Sequence, residues 1–434
     1  MKSLLRSSCL AAAVVLVSSL SAADSWPTWR GPSGQGIAPG AKPPLKWSAT
    51  ENVKWKTAIP GLGYSTPIVW QDRIFLLTAV ETNESGGGGG GAQTKGGQTA
   101  PTNVYEFDVL ALDRATGKIV WRKTARREVP HEGRHATTSY ASSSPSTDGK
   151  YLWVPFGSRG FYCYDLQGNL IWEKDLGNMR TRMSFGEGSS PVVAGNMLLI
   201  LWDHEEQSFI VALNKNTGEE VWRKNREERS SWSTPLIVEV GGKLQAIVPA
   251  TTATRSYDVA TGEIIWEATG LTGNVIPTPV TGHGMVYVMS GFRGNAMQAI
   301  KLTARGDVTT SPDMVWNVRQ SAPYAASPVL SDTRLYGTKS TDAYLSCVNA
   351  LTGEFYYRDQ PLPGIRSIYA SPLAANGHLY VAGREGTVLV LKDATTFEVV
   401  ATNQMGEGID ASPVALGKEL FLRGHRHLFC ISEG

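Results

Sequence analysis

Apolar positions along this chain gather into short runs separated by turn residues, and the runs return in a fixed order. The phrase ALDRATGKIVW (residues 111–121) comes back as ALNKNTGEEVW (212–222) and as SYDVATGEIIW (256–266). Each leaves one short run, crosses a polar Thr-Gly turn and enters a second run that ends on Trp. Runs this short, bounded by turn residues and rich in β-branched side chains, predict strands. A strand-and-turn phrase recurring at roughly 45-residue intervals predicts a closed repeat array.

Every unit also opens on Ser or Thr followed by Pro, at Pro67, Pro145, Pro191, Pro235, Pro279, Pro328, Pro372 and Pro413, which makes eight units. Successive prolines lie 44 to 49 residues apart through the middle and 41 at the last step. The first step is 78, lengthened by a Gly-rich insertion at residues 81–102. After each proline the pattern predicts an apolar strand, a second strand, a third carrying the Ala-x-Asp step, and the Trp strand. Four strands per unit make a propeller blade.

Not every unit is regular. CYDLQGNLIW (163–172) is one residue short, CVNALTGEFYY (347–357) has Tyr for Trp, and VLKDATTFEVV (390–400) lacks both Gly and Trp. The eighth unit stops at FCISEG after its third strand, while Trp55 lies 12 residues before Pro67, much as Trp222 lies 13 before Pro235. Residues 52–59 are therefore expected to supply the missing strand and leave no open sheet edge. The predicted fold is all-β: an eight-bladed β-propeller of four-stranded antiparallel blades over residues 52–434, closed by an N-terminal strand and preceded by an arm, residues 24–51.

The chain's ends and composition bound its setting. Lys2 and Arg6 precede an apolar run at residues 10–17, followed by Ser21, Ala22 and Ala23, so residues 1–23 read as a signal peptide cleaved before Asp24. No run approaches the roughly 18 to 20 apolar residues of a membrane helix. The expectation is a periplasmic or secreted protein without membrane insertion. Cys9 precedes the apolar run, so no lipid anchor is expected. Lys plus Arg total 41 against 39 Asp plus Glu, with no extended run of one sign, which argues against nucleic acid or acidic lipid as partner. Cys163, Cys347 and Cys430 share one repeat column with Ala111, Ala212, Ser256, Ala299 and Val390. Equivalent positions in separate blades cannot pair, so buried free thiols are expected.

The pattern AxDxxTGxxxW over eight units resembles the pyrroloquinoline-quinone (PQQ) repeat, across nearly all of residues 55–432. That repeat occurs in quinoprotein alcohol dehydrogenases and in the β-propeller subunit of the outer-membrane protein assembly machinery. The resemblance implies that the Trp residues dock between neighbouring blades, a role it assigns to Trp121, Trp172, Trp222, Trp266 and Trp316, with Trp55 in the closing strand. WPTWRGPSGQG (26–36) is similar to the start of exported PQQ-like propeller proteins of planctomycete-type and verrucomicrobial bacteria. The dehydrogenases of the family carry an adjacent Cys pair beside the quinone and a Glu, Asn and Asp set around calcium. This chain has no adjacent Cys pair and no large inter-blade insertions. No cofactor is expected; PQQ with calcium belongs only to the alternative.

Several local motifs point to chemistry without the context it needs. HEGRH (131–135) has zincin spacing, but Pro130 before it and Gly133 within it predict a loop, where no helix aligns the two His. The Gly run 86–91 has no helix after it to cradle a phosphate. Residues 203–206 (Asp, His, Glu, Glu), and His425 with His427, read as solvated or hydrogen-bonded groups. No metal site and no catalytic residue is assigned.

Subtracting the repeat leaves REERSSW (226–232) together with Arg159, Glu187, Arg293, Arg366 and Asp410. The residues just before each Ser/Thr-Pro step lead into the innermost strands and border one mouth of the channel. Around the ring these are Tyr64, Ser143, Glu187 with Ser189, Trp232, Asn274, Tyr324, Tyr369 and Asp410, with Arg229 close by. Their aromatic faces and carboxylates suit a ligand site, or equally a plug that fills a narrowing channel. The functional expectation is an exported, monomeric, non-catalytic binding or assembly scaffold of the cell envelope, with an envelope protein, a peptide or a glycan as partner. The alternative is a PQQ-dependent dehydrogenase with its cofactor near Trp232, held by Arg229, Glu187 or Asp410. A carbohydrate lyase or hydrolase using two rim carboxylates is a further enzymatic rival.

Overall fold

The computed structural model describes residues 25–86 and 99–433; the expected signal peptide, Cys9 and most of the Gly run lie outside the described residues. Eight antiparallel sheets follow one another around a ring, each numbered here by its proline, from blade 1 (Pro67) to blade 8 (Pro413). Apart from two single-turn 3-10 segments, Gly157–Arg159 and Arg182–Ser184, all regular structure among the described residues is strand. Among those residues no helix is long and apolar enough to cross a membrane.

Blade position explains the strand sequences. A third strand such as Ser208–Asn214 is buried along almost its whole length, because neighbouring blades cover both of its faces. The outer strand Glu220–Arg226 is covered on one side only and alternates between exposed and shielded positions. In blade 1 the hairpin is longer than expected: Arg73–Ser85 and Asn103–Asp113 keep pairing into the insertion, with Glu81 opposite Tyr105 and Ser85 opposite Asn103.

Closure uses three devices. Val53–Ala58 pairs antiparallel with His427–Ile431, so the N-terminal segment supplies the outer strand of blade 8. At the axis, the Ser or Thr before each proline donates its amide N–H to the hydroxyl of its counterpart in the next blade. The chain runs Thr66 to Ser144, Ser190, Thr234, Thr278, Ser327, Ser371, Ser412 and back to Thr66, at 2.9 to 3.3 Å. Eight equivalent bonds thus stitch the inner strands into a closed hoop. At the perimeter, indole N–H groups reach into the next blade: Trp55 to the Arg114 carbonyl, Trp121 to Leu166, Trp172 to Lys215, Trp222 to Val259 and Trp316 to Ala350. Trp266 differs, since it is wholly buried and its Nε1 has no acceptor. Blade 5 carries a longer turn there, whose Gly306–Asp307 pairs parallel alongside Ile264–Ala268 and packs Ala304 and Val308 over the indole.

The N-terminal arm crosses the axis at the far ends of the inner strands. Ser25–Trp26 pairs with Ile68–Trp70 of blade 1, and the Pro27 carbonyl accepts the Thr147 N–H of blade 2. Gln35 Oε1 accepts the Thr281 N–H of blade 5, and Gly36 and Ala38 bond Ala374 of blade 7. Between these contacts Arg30, 2% exposed, donates to the carbonyls of Gln35, Ser327 and Pro328. Among the described residues it has no carboxylate partner, and burial lowers its pKa to about 9. The three blade cysteines are free and buried, and burial pushes the Cys163 and Cys347 thiols up to about 12.

Candidate ligand site at the channel mouth

With the arm across one end, the channel becomes a pit open at the other. Its cavity measures about 390 Å³. Trp29 of the arm and the hoop residues Thr66, Ser144, Ser190, Ser371 and Ser412 line its depth, while Tyr64, Trp232, Tyr324 and Tyr369 line it nearer the mouth. The second-to-third-strand loops open on the same face and contribute Phe292, which stacks on Tyr324 at 5.1 Å.

Of the rim residues read from the sequence, Tyr64, Glu187, Trp232, Tyr324, Tyr369 and Asp410 share this cavity, and Ser143, Ser189, Asn274 and Arg229 do not line it. Ser143 faces a smaller neighbouring recess beside Glu132 and Arg159. Asn274 is buried and accepts a hydrogen bond from Arg182 at 3.2 Å. Arg229 points outward, because burial alternates along residues 226–230 and puts Arg226, Glu228 and Ser230 inward. Those inward groups are saturated locally. Arg226 pairs with Asp203 at 2.8 Å, and Glu228 accepts the Thr252 and Ala253 amides beside Arg255. The charge of REERSSW therefore anchors a loop, and what the loop delivers to the pit is Trp232, fixed by its indole N–H to the Gly186 carbonyl at 2.7 Å.

Both cavity carboxylates are held by neighbours. Glu187 accepts the Ser158 amide at 2.7 Å, its hydroxyl at 2.6 Å and Arg159 at 2.9 Å. Asp410, its side chain 2% exposed, bonds His425 Nε2 through Oδ2 at 2.8 Å. Its Oδ1 lies 3.3 Å from Arg384 Nε and makes no hydrogen bond. Tyr64 packs on the His425 ring at 5.3 Å, and Arg384 lies over Tyr369 at 5.2 Å. Burial first, then Asp410, raises the Tyr64 phenol pKa.

The HEGRH segment is a loop, as its sequence predicts, and it lies along the mouth. The His135 amide bonds the Phe185 carbonyl of the blade 2–3 connection, and Arg384 of blade 7 reaches the Ala136 carbonyl at 3.4 Å. The two imidazoles serve different partners: His131 meets the Met179 carbonyl and Arg159, and His135 meets Thr137. Glu132 accepts the Thr181 hydroxyl at 2.6 Å, and burial raises its pKa to about 7. Trp29, His135, Phe185 and Phe292 also line the cavity and were missed. The signal for Phe292 was present, since loops between second and third strands must open on the same face as the residues before each proline.

PQQ is a planar polyanionic quinone, which calls for cations and a metal. Among the described residues no Lys or Arg lines the cavity, and Arg159 and Arg384 are committed to its two carboxylates, so the quinone acids find no free cation. Among the described residues no group of three His, Cys, Asp or Glu side chains could share a metal ion. These residues do not fit that cofactor.

Comparisons with known proteins agree on the architecture. The chain resembles BamB from Moraxella catarrhalis at 13% identity and a TM-score of 0.55, over 87% of this chain and 97% of that one. A europium-containing methanol dehydrogenase is similar at 11% identity and a TM-score of 0.62, over 92% and 89%. The computationally designed Ika8 protein is similar at 9% identity and a TM-score of 0.54, over 79% and 98%. At such identities the likeness is one of fold alone. No curated protein matches the chain in sequence. A family model does, over residues 105–355 and 206–432, and by that match the chain belongs to the outer membrane protein assembly factor BamB family.

Proposed function

We propose that this protein is an exported, non-catalytic binding protein of the cell envelope that holds a partner at the open mouth of its channel. The observation that carries this reading is the shape of the channel, shut at one end by the chain's own arm and ending at the other in an aromatic pit whose carboxylates are tied to Arg159, Arg384 and His425. Fixed, paired carboxylates between aromatic faces suit recognition better than proton transfer. The basic, apolar and small-residue order at the N-terminus supports export, and the BamB family match supports an envelope setting.

A photo-crosslinking residue at position 324, introduced in the native host, is expected to trap an envelope component, whereas the same group at the outer position 351 traps none. No adduct at 324, or retention of the protein in the cytoplasm, overturns the reading. The dehydrogenase alternative has its own check. PQQ with Ca²⁺ is expected to produce neither saturable tryptophan quenching nor dye reduction with alcohols, and the appearance of both would replace the binding role with an enzymatic one.

A further inference from the structure

We propose that the pit receives one end of a neutral glycan, a sugar ring lying against the aromatic wall; this rests on the binding role above and names its ligand class. The argument is an inventory of unspent hydrogen-bonding groups. A hydroxyl offers one donor and two acceptor positions. Each hoop hydroxyl accepts one amide, and among the described residues none of the five that line the pit, on Thr66, Ser144, Ser190, Ser371 and Ser412, donates to a protein acceptor. The depth of the pit therefore presents free O–H donors. Along its side Asp410 Oδ1 lies buried, ion-paired with Arg384 at 3.3 Å and without a hydrogen-bond donor. An acceptor held by an ion pair alone still gains from a hydrogen-bond donor that a ligand brings to it.

Groups that both donate and accept, spaced around a ring with apolar C–H faces, describe a saccharide. The flat faces of Trp232, Tyr324 and Tyr369 provide the stacking surface. Charge selects within that class. Among the described residues no Lys or Arg lines the pit, and Arg159 and Arg384 are committed to its two carboxylates, so uronic acids and phosphosugars find no free cation. A cationic ligand finds those carboxylates already paired. A peptide that binds by adding to a strand edge finds no free edge in the pit, since the amides that begin the inner strands are committed to the hoop. The closed far end limits the ligand to a terminus instead of a threaded chain.

The test titrates the full mature protein, following tryptophan fluorescence and heat. The probes are neutral mono- to trisaccharides of glucose, galactose, mannose and N-acetylglucosamine, with trigalacturonate and a ten-residue alternating apolar/polar peptide as comparators. At least one neutral saccharide is expected to saturate, with trigalacturonate about tenfold weaker or worse. Asp410→Ala and Tyr324→Leu are each expected to weaken the neutral ligand about tenfold; the second variant leaves the Asp410–His425 pair intact should the first misfold. Saturation by the peptide without any saccharide overturns the glycan assignment and leaves the binding role standing. Saccharide binding indifferent to both substitutions places the ligand elsewhere and overturns the site. Binding by neither probe class overturns the assignment, and the adduct at position 324 then decides the binding role separately.

Discussion

At the scale of single residues, the loop over the mouth carries a group that titrates near neutrality. Burial raises Glu132 from 4.5 to about 7, opposed by Thr181 and Arg159 and reinforced by Glu187. The folded protein therefore holds this proton more tightly than the unfolded chain does. The stability it contributes is complete below pH 4.5 and is lost as pH rises through 7. Glu132→Gln keeps an acceptor for Thr181 and removes the ionisation. Its urea midpoint relative to the wild type is expected to rise between pH 5 and pH 8. Comparing the two proteins at each pH cancels His131, whose pKa is lowered by burial and Arg159 and whose effect runs the other way. A difference that stays flat with pH would mean that Glu132 is ionised throughout. The sequence showed this carboxylate only as the middle of a false zinc motif. Its partner Thr181 is 49 residues away, and no spacing rule connects them.

At the scale of the element, the repeat encodes a docking joint. The Gly of each Thr-Gly turn sits on the Trp of the preceding blade. A Cβ at Gly218, where φ is +73°, would lie 2.8 Å from the Trp172 ring, whereas one at Gly306, with φ +68°, meets nothing within 4 Å. The left-handed backbone alone costs Ala about 1 to 2 kcal/mol, and overpacking adds about 1 to 3 kcal/mol. Gly306→Ala is expected to show the first cost and Gly218→Ala both, read as the difference between their urea midpoints at unchanged slope. Equal losses would deny the joint. Most of this was legible, because Gly and Trp recur ten positions or fewer from the third-strand residue they follow. The exception was not read from the sequence, which placed Trp266 with the other docking residues, although Trp316 follows Ala299 by 17 residues where Trp121 follows Ala111 by 10. That surplus is the turn that covers Trp266 and removes its acceptor. The hoop was visible only as a Ser/Thr-Pro count, since the bonds that give it meaning join residues 41 or more apart around a ring.

At the scale of the whole molecule, one N-terminal stretch does two separable jobs, and the sequence disclosed only the second. Residues 25–38 shut the channel through backbone carbonyls and the buried Arg30, contacts invisible in a linear pattern; Val53–Ala58 closes the ring through the repeat itself. Removing residues 25–36 should leave the hoop and the perimeter joints in place. That protein is expected to unfold cooperatively at a lower temperature, with Trp232 more open to acrylamide quenching because the pit becomes a through-channel. Removing residues 25–58 also takes the outer strand of blade 8 and the Trp55 joint to blade 1. His427–Ile431 is then an exposed edge, and only the hoop and inner contacts join the last blade to the first. This longer deletion is expected to broaden the transition and to aggregate. If both deletions melted alike, the ring would be held at its axis, and the outer strand would be decoration on a structure that the hydroxyl hoop closes unaided.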